Sequence, residues 1–471
     1  MLSAYPMTRW LALACACVLL AACGDDPGID PVIIAQGPAT GQIQFVNLIP
    51  DSPELTVQIG GNVATVDYRE ATFDQSLPLG NYVMTVGYVG GDGEDVVLFD
   101  DVPVQVDESN EFKVLMRGSL ANAHFEIRDI RDLSFTGGVQ DDTQQIWVAG
   151  GLASTASYDV YVTDSRVQVT DVAPTLTVSG QGQTDLITID SAPEYRFRVT
   201  SAGSSDVLFD SGDFLLPPQS RSGFALIEYF GPGEGAAAPA LDAIAFAAAG
   251  SQAFPNRQLP SALRLVNVVQ DAGLMDLYLG STSGDPFLAD LAPLDVTPYL
   301  PIDSGRVSLN LTSPGVKDQF LYEGDENVLA GTFHTLVLHG RAETNNFATI
   351  MLPQLARAIS DRVGVNVINA SNQLSVVRVE LLAPGQDFRA IAGANDLVSG
   401  AVQGTFVRPG EVDLVVLSAA DVLIHGPERV VLEEGRQYTF ILSDRVVGGT
   451  VATRLTTLAE DTVAPRSLEL P

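Results

Sequence analysis

Four histidines, His124, His334, His339 and His425, are the first residues to test for chemistry. A metal pair needs two of them close together, and a general base needs one beside a nucleophile. His334 and His339 lie on one alternating stretch that starts at Phe333. Five positions apart on a regular strand, they point to opposite faces. They are therefore expected as solvent or edge histidines rather than as ligands. Gly280-Ser281-Thr282-Ser283-Gly284 has the outline of a nucleophile elbow, but threonine fills the nucleophile slot. No glycine-rich loop opens a helix where a phosphate could sit. The sequence thus offers no catalytic, cofactor-binding or metal-binding residue, and an enzyme is not expected. The alternative that stays open is a hydrolase whose carboxylates meet across loops, which local spacing does not reveal.

Acidic segments are the next candidates. Asp92, Glu94 and Asp95 form one, and Glu323, Asp325 and Glu326 another. Oxygen-rich loops suit calcium, but neither fits the calcium loop of about twelve residues. Both read as solvated hairpin turns, with weak calcium binding as the alternative.

All three cysteines, Cys15, Cys17 and Cys23, precede the folded part, so no disulfide staples it. Met1 to Arg9 is a short basic start, and Trp10 to Ala22 an apolar run too short for a comfortable membrane span. The run ends Leu20-Ala21-Ala22-Cys23-Gly24. Small residues before a cysteine resemble the bacterial lipobox. That resemblance implies a signal peptide over 1–22, cleavage before Cys23, and a lipid anchor on its sulfur. It also implies residence in the bacterial cell envelope. Gly24 in place of Asp permits delivery to the outer membrane, on either face. Residues 23–40 carry Pro27, Pro31 and Pro38, show no periodicity, and read as a flexible tether.

The chain of 471 residues is 46% hydrophobic and 18% charged, too apolar for a disordered protein. Its formal net charge is -33, and the positive charge is nearly all arginine, with only Lys113 and Lys317. Such a surface repels phosphate backbones, so nucleic acid is no partner.

What must position any site is a repeated β unit. Ile43-Gln44-Phe45-Val46-Asn47 precedes the alternating stretch Leu55 to Ile59. The pattern returns at Leu263 to Asn267 before Met275 to Leu279, and at Val365 to Asn369 before Val377 to Leu381. A weaker copy is Ile146-Trp147-Val148 before Tyr158 to Val162. The turn signals bound four repeats, over 41–135, 143–250, 261–357 and 361–460, each with seven or eight short strands. The expected fold is all-β: four tandem immunoglobulin-like antiparallel β-sandwich domains after the signal peptide and tether. The second unit ends in an alanine-rich tail, Ala236 to Ala249, which suits a strand or a short helix equally. Asn47, Asn267 and Asn369 recur where strand meets loop, a place where asparagine shapes a turn through nearby backbone. Tyr82, Tyr158, Tyr161, Tyr195 and Tyr278 fall in strands and read as core rather than as glycan platforms.

Taken together, the opening strand ending in Asn, the short turn, the alternating second strand and the Pro/Gly–Tyr strand resemble the domain of unknown function 4397 family. The resemblance covers residues 41 to 460 and is closest in the first, third and fourth units. The second departs from it, with Ala149 in place of the asparagine. It implies tandem β-sandwiches on exported bacterial proteins, with no catalytic residues to carry over. The reading that follows is a non-enzymatic lipoprotein whose modules act as a spacer and as an interaction or adhesion surface, with protein or glycan partners. The alternatives are a carbohydrate or small-ligand binding envelope protein and the hydrolase above.

Overall fold

The computed structural model describes residues 39–91, 93–107, 110–131, 143–216, 220–232, 241–385, 390–447 and 450–462. The leader, Cys15, Cys17, Cys23, the tether up to residue 38, and Asp92 lie outside the described residues. Among the described residues there is no α-helix, only two short 3-10 turns, Leu120–Asn122 and Val169–Asp171.

The first sandwich shows the plan. Its strands are β1 (Thr40–Asn47), β2 (Leu55–Ile59), β3 (Asn62–Val66), β4 (Glu70–Ala71), β5 (Gln75–Pro78), β6 (Gly80–Val89), β7 (Asp95–Val106), β8 (Glu111–Arg117) and β9 (His124–Asp129). One sheet joins β4 and β5 to β1, then β8, then β9. The other runs β3-β2-β6-β7. Alternation decides which side chains meet between them. Ile43, Phe45, Val57, Met84, Val86 and Val114 all point into one core. Every ladder is antiparallel except β1 with β8, which runs parallel with Phe45 opposite Val114.

The same two sheets recur three times. The strands matching β1 and β8 are Thr143–Gly150 with Arg221–Glu228, Ser261–Asn267 with Phe333–His339, and Val363–Asn369 with Arg436–Val447. Each of these pairs is parallel, so the all-β sandwich carries one parallel ladder per unit. Of the alanine-rich tail of the second unit, residues 236–240 lie outside the described residues, and Leu241–Ala247 is strand, pairing with Arg221–Glu228 and then with Gly250–Phe254.

The sheet that holds β1 and β8 is buried on both faces. While Ile43 and Phe45 point into the first core, Val46 and Leu115 point the other way. They meet Trp147, Ala149, Ala225 and Ile227 of the second sandwich, all fully buried. The third and fourth sandwiches meet alike, with Val266, Val337, Ile350 and Leu352 against Ile368, Ile441 and Leu458. The sandwiches are thus fused back to back in two pairs. Leaving any one of these aliphatic side chains in water would forfeit about 1.5–3 kcal/mol. Ion pairs rim the first seam: Arg221 to Glu111 at 3.0 Å, Lys113 to Asp74 at 2.7 Å and Arg69 to Asp242 at 3.2 Å. Burial pushes the Asp242 carboxyl up despite Arg69.

The segment between the third and fourth sandwiches ties the pairs together. Arg357 donates to the carbonyls of Pro50 at 2.9 Å and Ser52 at 2.7 Å, in the first sandwich. Its guanidinium lies 4.9 Å over the Tyr68 ring, whose other neighbour is Phe230 of the second sandwich. The Ala356 N–H bonds the Phe230 carbonyl, and the Ser360 hydroxyl the Asp51 carboxylate.

The histidines correct the expectation of solvent or edge positions. His334 is fully buried and His339 is 5% exposed. They do face opposite ways, but both faces of that sheet are covered. The His334 Nε2 accepts the Leu329 N–H at 3.1 Å, so its Nδ1 carries the proton facing the Thr332 carbonyl. His339 faces Asp444 and the Ala370 backbone of the fourth sandwich. Burial lowers both rings below the ordinary histidine value.

Two outcomes follow. Arg357→Ala leaves two carbonyls without their donor and should cost about 2–4 kcal/mol. Urea unfolding reads this, and protease should then cut near residues 355–362. As for pH, the unfolded chain takes up protons at about 6.5, above the lowered folded values. The histidine contribution is therefore complete above that pH and is lost as pH falls toward the folded values, at no more than about 1.4 kcal/mol per unit per group. The double variant His334→Asn, His339→Gln should lose less stability than wild type between pH 7.5 and 5.5; an equal loss contradicts the assignment.

Candidate functional site

A crevice of about 330 Å³ opens at the rim of the seam between the third and fourth sandwiches. The alternation that buries Leu263 and Leu265 turns Arg264 outward into this seam. Register sets Arg264 beside Thr335, and Thr335 sits between Arg264 and Leu352 across the sheet. Gln354, at the end of the next strand, lies opposite Phe333. Tyr299 comes just before the short strand Leu300–Ile302. The fourth sandwich contributes Gln437 and Glu460, which are register partners, and Asp461.

These groups form one connected network. Arg264 is 6% exposed. Its Nε donates to Thr335 Oγ1 at 2.9 Å and its Nη2 to Glu460 Oε1. Tyr299 donates to Glu460 Oε2 at 2.9 Å, and Thr335 to Gln354 Oε1 at 2.8 Å. The Arg264 guanidinium lies 4.7 Å over the Tyr299 ring, and Phe333 stands 4.8 Å from that ring. Burial first, and then the Glu460 charge, hold the Tyr299 phenol well above its usual range, so it remains a donor. One arginine and one carboxylate cancel inside the seam. The arrangement is built to position hydrogen bonds beside aromatic rings. Each Glu460 oxygen accepts one of these donors.

The residues singled out by sequence lie elsewhere. Glu323, Asp325 and Glu326 sit on the strand Phe320–Val328, not in a turn; Glu323 and Asp325 share its exposed face and Glu326 takes the other. Asp325 is taken by Arg306 at 2.6 Å and Ser308 at 2.6 Å, which hold its carboxyl below the usual range, the Ser308 bond most of all. Glu326 accepts the Thr349 hydroxyl at 2.8 Å. Asp95 opens β7, next to Glu94. Among the described residues no group of three or more metal-binding side chains converges. Thr282 donates to the Lys317 carbonyl at 2.9 Å, and Ser281 bonds Ser283. His124 is exposed at the start of β9, and His425 bonds Glu428 at 2.8 Å.

The recurrent asparagines are turn-formers. Asn47 Oδ1 accepts the Ile49 N–H, Asn267 Oδ1 the Val269 N–H, and Asn369 Oδ1 the Ser371 N–H. Their Nδ2 groups donate across the loop to Val66, Ala292 and Leu397 carbonyls. All three are fully buried. In the second unit the residue in that slot is Gly150, not Ala149. The N–H after it, Gly151, bonds Leu226 as Leu48 bonds Met116. A Cβ on Gly150 would lie 2.2 Å from the Gly180 carbonyl oxygen, so close backbone approach replaces the amide side chain. Tyr158 and Tyr195 belong to the second core, and Tyr82 packs against the first. Tyr161 and Tyr278 are buried, but on the opposite faces of their strands.

None of the crevice residues was marked by sequence as a site. Arg264 and Glu460 are 196 positions apart, and no local spacing joins them. The available signal was a charged residue inside an otherwise apolar opening strand.

No curated protein matches the chain in sequence. Among solved structures, the TIE protein of Bacillus anthracis is similar at 10% identity and a TM-score of 0.15, over 83% of this chain and 68% of its own. A candidate adhesin from Bacteroides ovatus is similar at 11% identity and a TM-score of 0.14, over 48% of this chain and 97% of its own. At such scores neither likeness bears on function. Residues 261–380 span the third sandwich, the first strand of the fourth and most of its second, Asn267 and Asn369 included, and they match the domain of unknown function DUF4397.

Proposed function

We propose that the protein is a non-enzymatic, lipid-anchored envelope protein whose fused sandwiches present an interaction surface of the adhesive kind. The observation that carries this reading is the back-to-back fusion. Each unit spends one sheet on its neighbour, leaving the β3-β2-β6-β7 sheet and its counterparts as the outer layers. Such a body suits presentation of a fixed surface better than the chemistry of a mobile lid. The apolar leader ending at Cys23 and the proline-marked segment after it support anchorage at the end of a tether. The strong negative charge supports a partner that is not a polyanion.

The test combines address and role. Wild-type protein should fractionate with the outer membrane, and Cys23→Ser should release it to the soluble fraction. Cells lacking the protein should attach less well to surfaces or neighbouring cells, with recovery on complementation. A Cys23→Ser protein that stays in the membrane, together with unchanged attachment of the deletion strain, overturns the reading.

A further inference from the structure

We propose that the crevice between the third and fourth sandwiches binds a neutral saccharide unit, a mono- or disaccharide with free hydroxyls. This deepens the interaction reading by giving it a ligand class, yet binding by purified protein is independent of anchorage or attachment. The crevice volume, about 330 Å³, lies where small-molecule sites begin.

Three properties of the lining select the ligand. The first is what the internal network leaves over. Arg264 spends its Nε on Thr335 and its Nη2 on Glu460, while its Nη1 has no partner among the described residues. The Gln437 amide likewise has none among them, and it lines the crevice. Asp461 is engaged only at 3.2 Å by Arg436, and both of those side chains are exposed. The groups facing the opening are thus a cationic donor, an amide that both donates and accepts, and a carboxylate acceptor. A hydroxyl also both donates and accepts, so a ring of hydroxyls can satisfy all three at once.

The second property is the aromatic wall. Phe333 and Tyr299 stand 4.8 Å apart at 59°, one face of Tyr299 being covered by Arg264. Aromatic faces are electron-rich and apolar, and the C–H face of a sugar ring is weakly positive and apolar. The wall suits that face, and the polar groups suit the hydroxyl rim.

The third is charge. Arg264 and Glu460 neutralise each other within the lining. An anionic sugar would meet Asp461 and a chain of net charge -33. A cation would meet the free edge of Arg264. A neutral ligand pays neither cost.

The full chain, solubilised in detergent, is tested by saturation-transfer NMR and titration calorimetry. The probes are glucose, galactose, mannose, N-acetylglucosamine, their common disaccharides, and glucuronic acid. At least one neutral sugar should bind. Gln437→Ala removes one ligand hydrogen bond at a half-buried position and should weaken binding about fivefold. Phe333→Leu keeps the apolar bulk but loses the ring face, and it should weaken binding by a similar factor of about fivefold. Circular dichroism and melting checked on both variants separate loss of binding from loss of fold. Absence of binding by every neutral sugar, equal binding by both folded variants, or preference for glucuronic acid each overturns the proposal. Failure here with membrane address and attachment intact sinks the ligand class alone. Sugar binding without attachment sinks the adhesive role alone.

Discussion

The parallel pair at the centre of each sandwich is apolar on both faces, and the rest of the architecture answers to that constraint. One face closes the unit's own core. The other, carrying Val46 and Leu115 in the first unit and Val266 and Val337 in the third, has to be taken out of water by something else. A neighbouring sandwich with the same problem is the available cover. Pairing therefore follows from the alternation of side chains rather than from the linkers, and it consumes one sheet of every unit.

The pairing explains where polar chemistry collects. At the middle of each seam aliphatic side chains interlock; toward the rim, charged groups are half-withdrawn from water and must find partners. The first pair does this with Glu111, Lys113, Asp74 and Arg221, which close tightly. The second pair does it with Arg264, Tyr299 and Glu460, and there a crevice remains. The two seams are variations on one interface, and the crevice lies at the rim of the second. Between the pairs, Arg357 meets backbone carbonyls and an aromatic ring rather than a close carboxylate; Asp67 stands 3.6 Å away.

Strand alternation and recurrent asparagines were enough to recognise four β units and the role of Asn47, Asn267 and Asn369. The unit pairing was also legible, though in a different signal. Val114-Leu115-Met116, Ala225-Leu226-Ile227, Leu336-Val337-Leu338 and Phe440-Ile441-Leu442 are unbroken apolar runs, the mark of a strand covered on both sides. Read only for alternation, they pass as ordinary core strands, and for that reason His334 and His339 looked like edge residues. Gly150 escaped because unit two replaces a side-chain hydrogen bond with backbone contact, which leaves no polar letter to align. Short strands such as Leu288–Leu291 and Leu300–Ile302 carry too few residues for any period to show. The crevice was out of reach, since its groups come from two units and meet only through register.

The most direct measurement is hydrogen exchange across the full chain carrying Val337→Asp, which places a charge in the second seam without touching either neighbouring core. If sandwiches are mutually covering, the strands Phe333–His339 and Arg436–Val447 lose protection together, while β1 and β8 keep theirs. Loss confined to the third sandwich, with the fourth as protected as in wild type, would contradict the account.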